Sequence, residues 1–117
     1  MDGQQRLGGE KADRTKPRLG LVSTVFIWAI ARVLTKAATK VDPATGKPKY
    51  GENSWRAGLE WSVPYNALQR HLTAWWDGED NDPDSGDSHL WHAAAELMFL
   101  IEFAIKGVGK DDRYRAD

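Results

Sequence analysis

The segment from Arg70 to His92 constrains the fold more than any other part of the sequence. It contains all three histidines of the chain and three of its six tryptophans. Apolar residues at helical spacing precede and follow it, which predicts a helix, a loop and a second helix. This layout folds the chain back and brings His71 towards His89 and His92. The loop between His71 and His89 contains six acidic residues, which are Asp77, Glu79, Asp80, Asp82, Asp84 and Asp87.

Two predicted helices precede the acidic loop. Ser23 or Thr24 caps the first, which runs to about Lys40. The second begins at Ser62, has a proline in its first turn, where a missing N–H costs nothing, and ends at Gly78. The apolar stripe that we expect to face the core of the second helix consists of Tyr65, Leu68, Leu72, Trp75 and Trp76.

The third predicted helix is capped by Ser88, runs to about Lys106 and is followed by Gly107. Apolar groups cover most of its circumference, which is typical of a helix that is buried on more than one side. In a chain of 117 residues this predicts that copies associate. The fold class is therefore all-α: a small bundle of three main helices with long loops, completed by homo-oligomerisation.

The remaining sequence divides into tails and connections. Residues 1–20 are predicted to be a flexible arm, residues 21–107 the helical domain, and residues 108–117 a charged C-terminal tail that frays. Residues 41–61 form a long connection in which Trp55 and Trp61 predict packing against the helices. The pattern D-P-x-x-G occurs at 42–46 and 82–86, which predicts one type of β-turn used twice.

Composition excludes several classes of function. A formal net charge of −1 and a pI near 6.3 give no field that would attract a nucleic acid polymer or an anionic membrane. The absence of cysteine excludes disulfides and thiolate metal sites. We found no signal-peptide pattern and no apolar run long enough to span a bilayer, so we expect a cytoplasmic protein.

Imidazoles and carboxylates at the predicted corner suggest a cation site. His89, His92 and Glu96 lie three and four residues apart, which places them on one helix face, close enough to share a cation. Glu79 and Asp80 lie just past the second helix and suit Mg²⁺ or Mn²⁺ together with a phosphate-bearing substrate. The plainer alternative is that the histidines cap and pack, and that the acidic loop is solvated.

Several familiar motifs are absent. A calcium hand is excluded because Ser85 stands where its glycine is needed and Trp91 where its closing glutamate is needed. Neither GxxxxGK[ST] nor GxGxxG occurs, and there is no G-x-S-x-G elbow. We expect the tryptophans to belong to the core, whereas Trp55 or Trp91 can stack on a base if either lies at the edge of a cleft.

Four pieces of the sequence, in this order, resemble the phage domain family of dATP/dGTP diphosphohydrolase N-terminal domains. They are Lys16-Pro17-Arg18-Leu19; the helix from Ala31 to Lys40 leading to Tyr50-Gly51 and Asn53-Ser54-Trp55; Trp61-Ser62, Arg70-His71-Leu72 and Trp75; and Gly78-Glu79-Asp80, Asp82-Pro83, Ser85-Gly86, His89-Leu90 and His92-Ala93. The resemblance covers about residues 9–105. It implies a small, mostly helical phage protein that is linked to the cleavage of purine deoxynucleoside triphosphates into monophosphate and pyrophosphate.

This resemblance implies roles for named residues and a nucleotide-binding domain over residues 21–107. The cation, Mg²⁺ or Mn²⁺, would be held by Glu79, Asp80, His89, His92 and Glu96. The water that attacks the α-phosphorus would be oriented by His71, Glu79 or Glu96. The substrate would be contacted by Lys16, Arg18, Lys40, Trp55 and Arg70. Two alternatives remain open: a pocket that sequesters a nucleotide without turnover, and a structural oligomer whose polar corner only caps helices.

Overall fold

The computed structural model describes residues 15–116 and contains three helices, as predicted. Helix α1 spans Thr24–Thr39, α2 spans Ser62–Trp76 and α3 spans His89–Lys106. Short 3₁₀ turns at Leu19–Leu21 and Ser54–Ala57 complete the regular structure of this part of the chain, which has isolated β-bridges but no strand. The all-α class is therefore confirmed. Most of the predicted arm of residues 1–20 lies outside the described residues.

The predicted helix ends are confirmed where the cap is local. The Ser23 hydroxyl accepts a hydrogen bond from the Phe26 N–H at 3.4 Å, and the Ser88 hydroxyl accepts one from the Leu90 N–H at 3.1 Å. Both satisfy a main-chain donor that the first helical turn leaves without a partner. Gly107 ends α3 in the left-handed conformation, with φ 66°.

The start of α2 is capped from far along the chain. The Asp112 carboxylate accepts hydrogen bonds from the N–H and from the hydroxyl of Ser62. The Trp61 N–H donates to the carbonyl of Lys110 at 2.9 Å, and its indole N–H donates to the carbonyl of Val108 at 2.8 Å. The prediction that the tail frays is therefore wrong for residues 108–112, because these bonds hold it against the beginning of α2.

Two glycines allow the tail to cross the long connection. A Cβ atom on Gly58 would lie 2.6 Å from the Gly109 nitrogen, and one on Gly109 would lie 3.0 Å from the Leu59 nitrogen and closer still to its oxygen. Both glycines also have positive φ. The main chains can approach this closely only because neither residue has a side chain.

The same turn occurs at both positions, but the bond that the two share spans four residues, as in an α-turn, and not three as in the predicted β-turn. The carbonyl of Asp42 accepts from the Gly46 N–H at 2.8 Å, and the carbonyl of Asp82 accepts from the Gly86 N–H at 2.7 Å. Each aspartate side chain also accepts from the N–H two residues later. Isolated antiparallel bridges, 41 with 48 and 81 with 88, close the two loops in the same register.

Helix α3 is central, because it packs against both α1 and α2. The buried hydrophobic residues of the described chain are few and mostly small: Ala29, Val33, Ala93, Ala95 and Phe103. The prediction that Trp76 and Tyr65 face the core is wrong, because their exposed fractions are 81% and 51%. None of the helices between residues 15 and 116 combines the length and apolarity that crossing a bilayer requires.

A stripe of large apolar side chains on α3 is also exposed. Leu97, Ile101 and Ile105 are 45%, 52% and 79% exposed, and they line a groove against Phe26 and Ile30 of α1. Large exposed apolar patches are uncommon on monomers. The association of copies, which the sequence predicts, remains a prediction for which this stripe is the natural surface.

Candidate functional site

The three imidazoles come together at the corner between α2 and α3. The Nδ1 atoms of His71 and His89 lie 2.8 Å apart, which is hydrogen-bond distance. The rings of His71 and His92 are stacked, with centroids 4.7 Å apart and planes inclined by 9°. The predicted convergence of these side chains is confirmed.

Glu79 determines where the protons of this cluster lie. Its Oε1 is 2.7 Å from His89 Nε2. A carboxylate can only accept, so the Nε2 atom of a neutral His89 carries the proton and its Nδ1 is an acceptor. His71 must then donate from Nδ1, which leaves its own Nε2 without a proton. The chain of bonds from Glu79 through His89 thus fixes His71 as a tautomer that can accept a proton at Nε2.

His92 is held by the acidic loop. Its Nε2 lies 2.7 Å from the Ser85 hydroxyl and 3.6 Å from Asp82 Oδ2. The single proton of that hydroxyl is donated to Asp82 at 3.3 Å, and the hydroxyl accepts from the Asp87 N–H at 3.1 Å. A proton on His92 Nε2 fills the remaining lone pair of Ser85, so this arrangement leaves no mismatched group.

Burial lowers the pKa of both His71 and His92 below the ordinary value of 6.5. Neighbouring imidazoles lower the pKa of His71 further, whereas the Asp82 carboxylate raises the pKa of both rings and only partly offsets the effect. Both rings are therefore neutral at pH 7.

Asp87 fastens the acidic loop to α1. It is only 4% exposed, and its Oδ1 accepts from Arg32 Nε at 3.2 Å. Its Oδ2 lies 3.3 Å from Lys36 Nζ without the geometry of a hydrogen bond, while Lys36 donates to the carbonyl of Ser85. Burial raises the pKa of Asp87, but the hydrogen bond from Arg32 and the positive charges of Arg32 and Lys36 outweigh it, so the net effect is a lowered pKa. Arg32 and Lys36 therefore attach the acidic loop to α1.

A cleft of about 480 Å³ lies beside the imidazole cluster, between α1, α3 and the long connection. Its polar residues on α3 are His92 and Glu96. The indole of Trp55 forms part of its wall and packs on Phe99, with ring centroids 4.9 Å apart. The wall from α1 is apolar and consists of Val33, Leu34, Ala37 and Ala38. This size and lining are typical of a small-molecule site.

Glu96 is the unusual group of the cleft. Burial raises its pKa from 4.5 to about 7, although the charge of Arg70 acts in the opposite direction. A carboxyl group in a cleft with a strongly raised pKa is a candidate functional residue. The sequence had placed Glu96 with His89 as a shared ligand, but His89 faces His71 and Glu79 instead.

The predicted metal ligands are not gathered into one group. Among residues 15–116, no set of three or more His, Asp or Glu side chains is arranged to hold a metal ion. His89 and His92 are engaged with Glu79 and Ser85. The Glu79 and Asp80 side chains are exposed, and the carbonyl of Asp80 accepts from the His89 N–H at 3.0 Å.

The predicted substrate-binding residues do not lie together. Lys40 ends α1 close enough to His92 to act on its charge, and Arg70 acts on Glu96 from α2. Lys16 and Arg18 precede the beginning of α1, more than two turns before the first cleft residue of that helix. Of these five residues Trp55 lines the cleft, and Lys40 and Arg70 act by their charge on its residues His92 and Glu96. Lys16 and Arg18 do neither. The other base-stacking candidate, Trp91, packs edge-on against Trp28 at 5.8 Å.

Comparison with known proteins agrees with the resemblance noted in the sequence. The family model described as dATP/dGTP diphosphohydrolase, N-terminal, matches residues 7–113. A dATP/dGTP diphosphohydrolase of Salmonella phage PMBT28 is 33% identical over 105 residues. This match covers 90% of the chain but 33% of the relative, so the chain spans about a third of the length of that protein. No solved structure matches the chain.

Proposed function

Because this chain belongs to the family of dATP/dGTP diphosphohydrolase N-terminal domains, we propose that it binds a purine deoxynucleoside triphosphate in the cleft beside Glu96. The observation that carries the proposal is the cleft itself. It combines an aromatic wall at Trp55 and a partly buried carboxyl group, and two cations, Lys40 and Arg70, act by their charge on its residues His92 and Glu96. In this arrangement the base lies beside Trp55, whose ring is already covered by Arg56 at 4.5 Å and by Phe99, and the cations contact phosphate oxygens.

Hydrolysis within this domain is a second candidate, favoured by the chain from Glu79 through His89 to His71. That chain leaves His71 Nε2 free to accept a proton, and its lowered pKa keeps the ring neutral at pH 7. A neutral imidazole held in one tautomer is the kind of group that orients and deprotonates water. Attack of that water on the α-phosphorus would release pyrophosphate and leave the monophosphate.

The ion that we propose for this reaction is Mg²⁺ or Mn²⁺. Such ions bind through one or two carboxylates together with substrate phosphates and water, so a complete protein cage is not needed. The exposed carboxylates of Glu79 and Asp80 are of the required kind, whereas imidazole nitrogens suit softer metals. The ion would offset the negative charge that develops on the phosphates.

The test measures dATP and dGTP binding by calorimetry and pyrophosphate release with Mn²⁺ present. We expect Lys40→Ala to weaken binding about tenfold, the value of one charge-assisted contact. Lys47→Ala removes an equally exposed cation from the 41–48 loop and should have no effect.

The outcomes separate the three hypotheses. Pyrophosphate release that His71→Ala abolishes, with binding retained, supports a diphosphohydrolase. Binding without product supports sequestration. If neither nucleotide binds, the proposal fails and a structural role for the polar corner remains.

A further inference from the structure

Helix α2 has an apolar stripe on a side that faces solvent. Tyr65, Leu72 and Trp76 follow one another at helical spacing, which places them in one line along the helix. All three side chains are exposed, Trp76 most of all. Apolar residues in such a line are typical of a helix face that packs against another element. These three residues, which we name the α2 stripe, therefore form a contact surface that residues 15–116 leave uncovered.

Each end of the α2 stripe borders a cavity that a side chain of a partner can fill. At the Tyr65 end, a cavity of about 580 Å³ lies between α2, α3 and the C-terminal tail. At the Trp76 end, a shallower cavity of about 340 Å³ is lined by Leu72, Thr73, Trp75 and Trp76. Tryptophan and tyrosine are enriched among the residues that dominate the affinity of protein interfaces. The α2 stripe thus has the composition and the shape of a protein-binding surface.

The C-terminal tail leads to this surface. Residues 108–112 are bonded to the start of α2, and Arg113 and Tyr114 line the same cavity as Tyr65. The Arg113 guanidinium lies 5.2 Å from the centre of the Trp61 ring. The match to the family of N-terminal domains ends at residue 113, and the matched region is only a third of the Salmonella phage relative. A family protein that continues beyond this domain therefore does so from the edge of the α2 stripe.

We propose that the α2 stripe is the docking surface for the region that the relative carries outside the matched third. This region presents apolar side chains to Tyr65, Leu72 and Trp76, and a cation to the exposed carboxylate of Asp77. In the relative it belongs to the same chain, and the test supplies it as a separate polypeptide. Docking on α2 is independent of nucleotide binding, because the cleft beside Glu96 is formed by α1, α3 and the long connection.

The position of the tail distinguishes the α2 stripe from the other exposed apolar surface. The groove beside Leu97, Ile101 and Ile105 is lined by side chains of α1 and α3, whereas tail residues line the cavity at Tyr65. The association of copies through α3 and docking on α2 therefore use different surfaces. Substitutions on α2 and on α3 can test the two separately.

The experiment produces the tagged full chain in the same cells as the region of the Salmonella phage relative that lies outside the match. We expect the two polypeptides to co-purify. Tyr65→Glu and Trp76→Glu each place a charge inside the interface and should weaken the complex about tenfold or more. The matched control is Val63→Glu, because Val63 has nearly the same exposed fraction as Tyr65, 52% against 51%, but lies on the opposite side of α2. This control should retain the wild-type affinity.

Each result decides. A complex that forms with the wild-type chain and with Val63→Glu, but is weakened by Tyr65→Glu and Trp76→Glu, supports docking on the α2 stripe. If the region does not co-purify with the wild-type chain, or if Val63→Glu weakens the complex as much as Trp76→Glu does, the proposal is wrong. If Trp76→Glu lowers the mass of the full chain on its own in sedimentation velocity, the stripe joins two copies, and the proposal is again wrong.

Discussion

Replacing Glu96 by glutamine should make the protein more stable at alkaline pH. The carboxyl group has an ordinary pKa of 4.5 in the unfolded chain and a pKa of about 7 in the folded protein, because burial disfavours its charge. Above pH 7 the folded protein must therefore hold a poorly solvated carboxylate. Glutamine has nearly the same shape and never carries that charge.

The size of the effect follows from the two pKa values. The interval from 4.5 to about 7, at about 1.4 kcal/mol for each pH unit, corresponds to roughly 3.5 kcal/mol. Because Glu96 is only partly buried, solvent screening lowers this value to about 3 kcal/mol. Between these values the folded state binds more protons than the unfolded state, so the free energy of unfolding falls as pH rises. The contribution of protonated Glu96 to the free energy of unfolding is complete below pH 4.5 and lost above pH 7. The stability difference between variant and wild type should thus grow from near zero at pH 4.5 to about 3 kcal/mol at pH 8.5.

The difference between the two proteins isolates Glu96 from the imidazoles. His71 and His92 have lowered pKa values in the folded protein, so their effect has the opposite sign: stability is lost as pH falls below 6.5. Both imidazoles are present in both proteins, and their contributions cancel in the difference. Urea unfolding, followed by tryptophan fluorescence at pH 4.5, 6, 7 and 8.5, gives the required free energies.

The control is Glu52→Gln, which alters an exposed carboxylate of the same cleft and should change stability little at any pH. A Glu96→Gln variant that is no more stable than wild type at pH 8.5 would refute the reasoning. So would a stability difference of equal size at all four pH values, because it would show that packing and not charge is responsible.

Gly109→Ala should destabilise the protein by about 3 kcal/mol or more in urea unfolding, because positive φ and contact with the Leu59 main chain act together. Gly107 also has positive φ but open space around it, so Gly107→Ala should cost about 1 kcal/mol. If both variants lose the same stability, the contact between Gly109 and the Leu59 main chain is not responsible for the larger loss. Asp87→Asn should cost about 2 kcal/mol at pH 7. That loss should vanish as pH falls through the lowered folded-state pKa of Asp87, and a pH-independent loss would argue against the ion pairs. If copies associate through the exposed stripe of α3, Ile101→Glu should reduce the mass of the sedimenting species in sedimentation velocity. An oligomer of unchanged mass would exclude this stripe as the interface.

The sequence predicts the helices well because their end signals are local. Ser23 and Ser88 cap donors that lie within three residues, and Gly107 supplies the left-handed end of α3. The turn that begins at Asp82 likewise depends on its own side chain and on a glycine four residues later. The layout of helix, loop and helix within the Arg70–His92 segment also suffices to bring the imidazoles together, since it folds the chain back on itself.

Contacts between distant residues are not predicted. Asp112 caps Ser62 across 50 residues, and Asp87 pairs with Arg32 across 55. Neither pair carries a local signal, because an exposed ion pair and a buried one have the same residue types. The environment of Glu96 is hidden for a similar reason: its raised pKa depends on walls from two other segments. Helical spacing also says nothing about the depth of burial, which is why Trp76 was misplaced.

The bridge that closes residues 41–48 makes this loop a suitable insertion point. The Lys49 N–H donates to the carbonyl of Lys40 at 2.8 Å, so the chain leaves α1 and returns at nearly the same place. Lengthening a closed surface loop costs little entropy, since the cost grows only logarithmically with length. An epitope or a fluorescent label grafted between Ala44 and Thr45 should therefore leave the position of Tyr50 in the cleft unchanged.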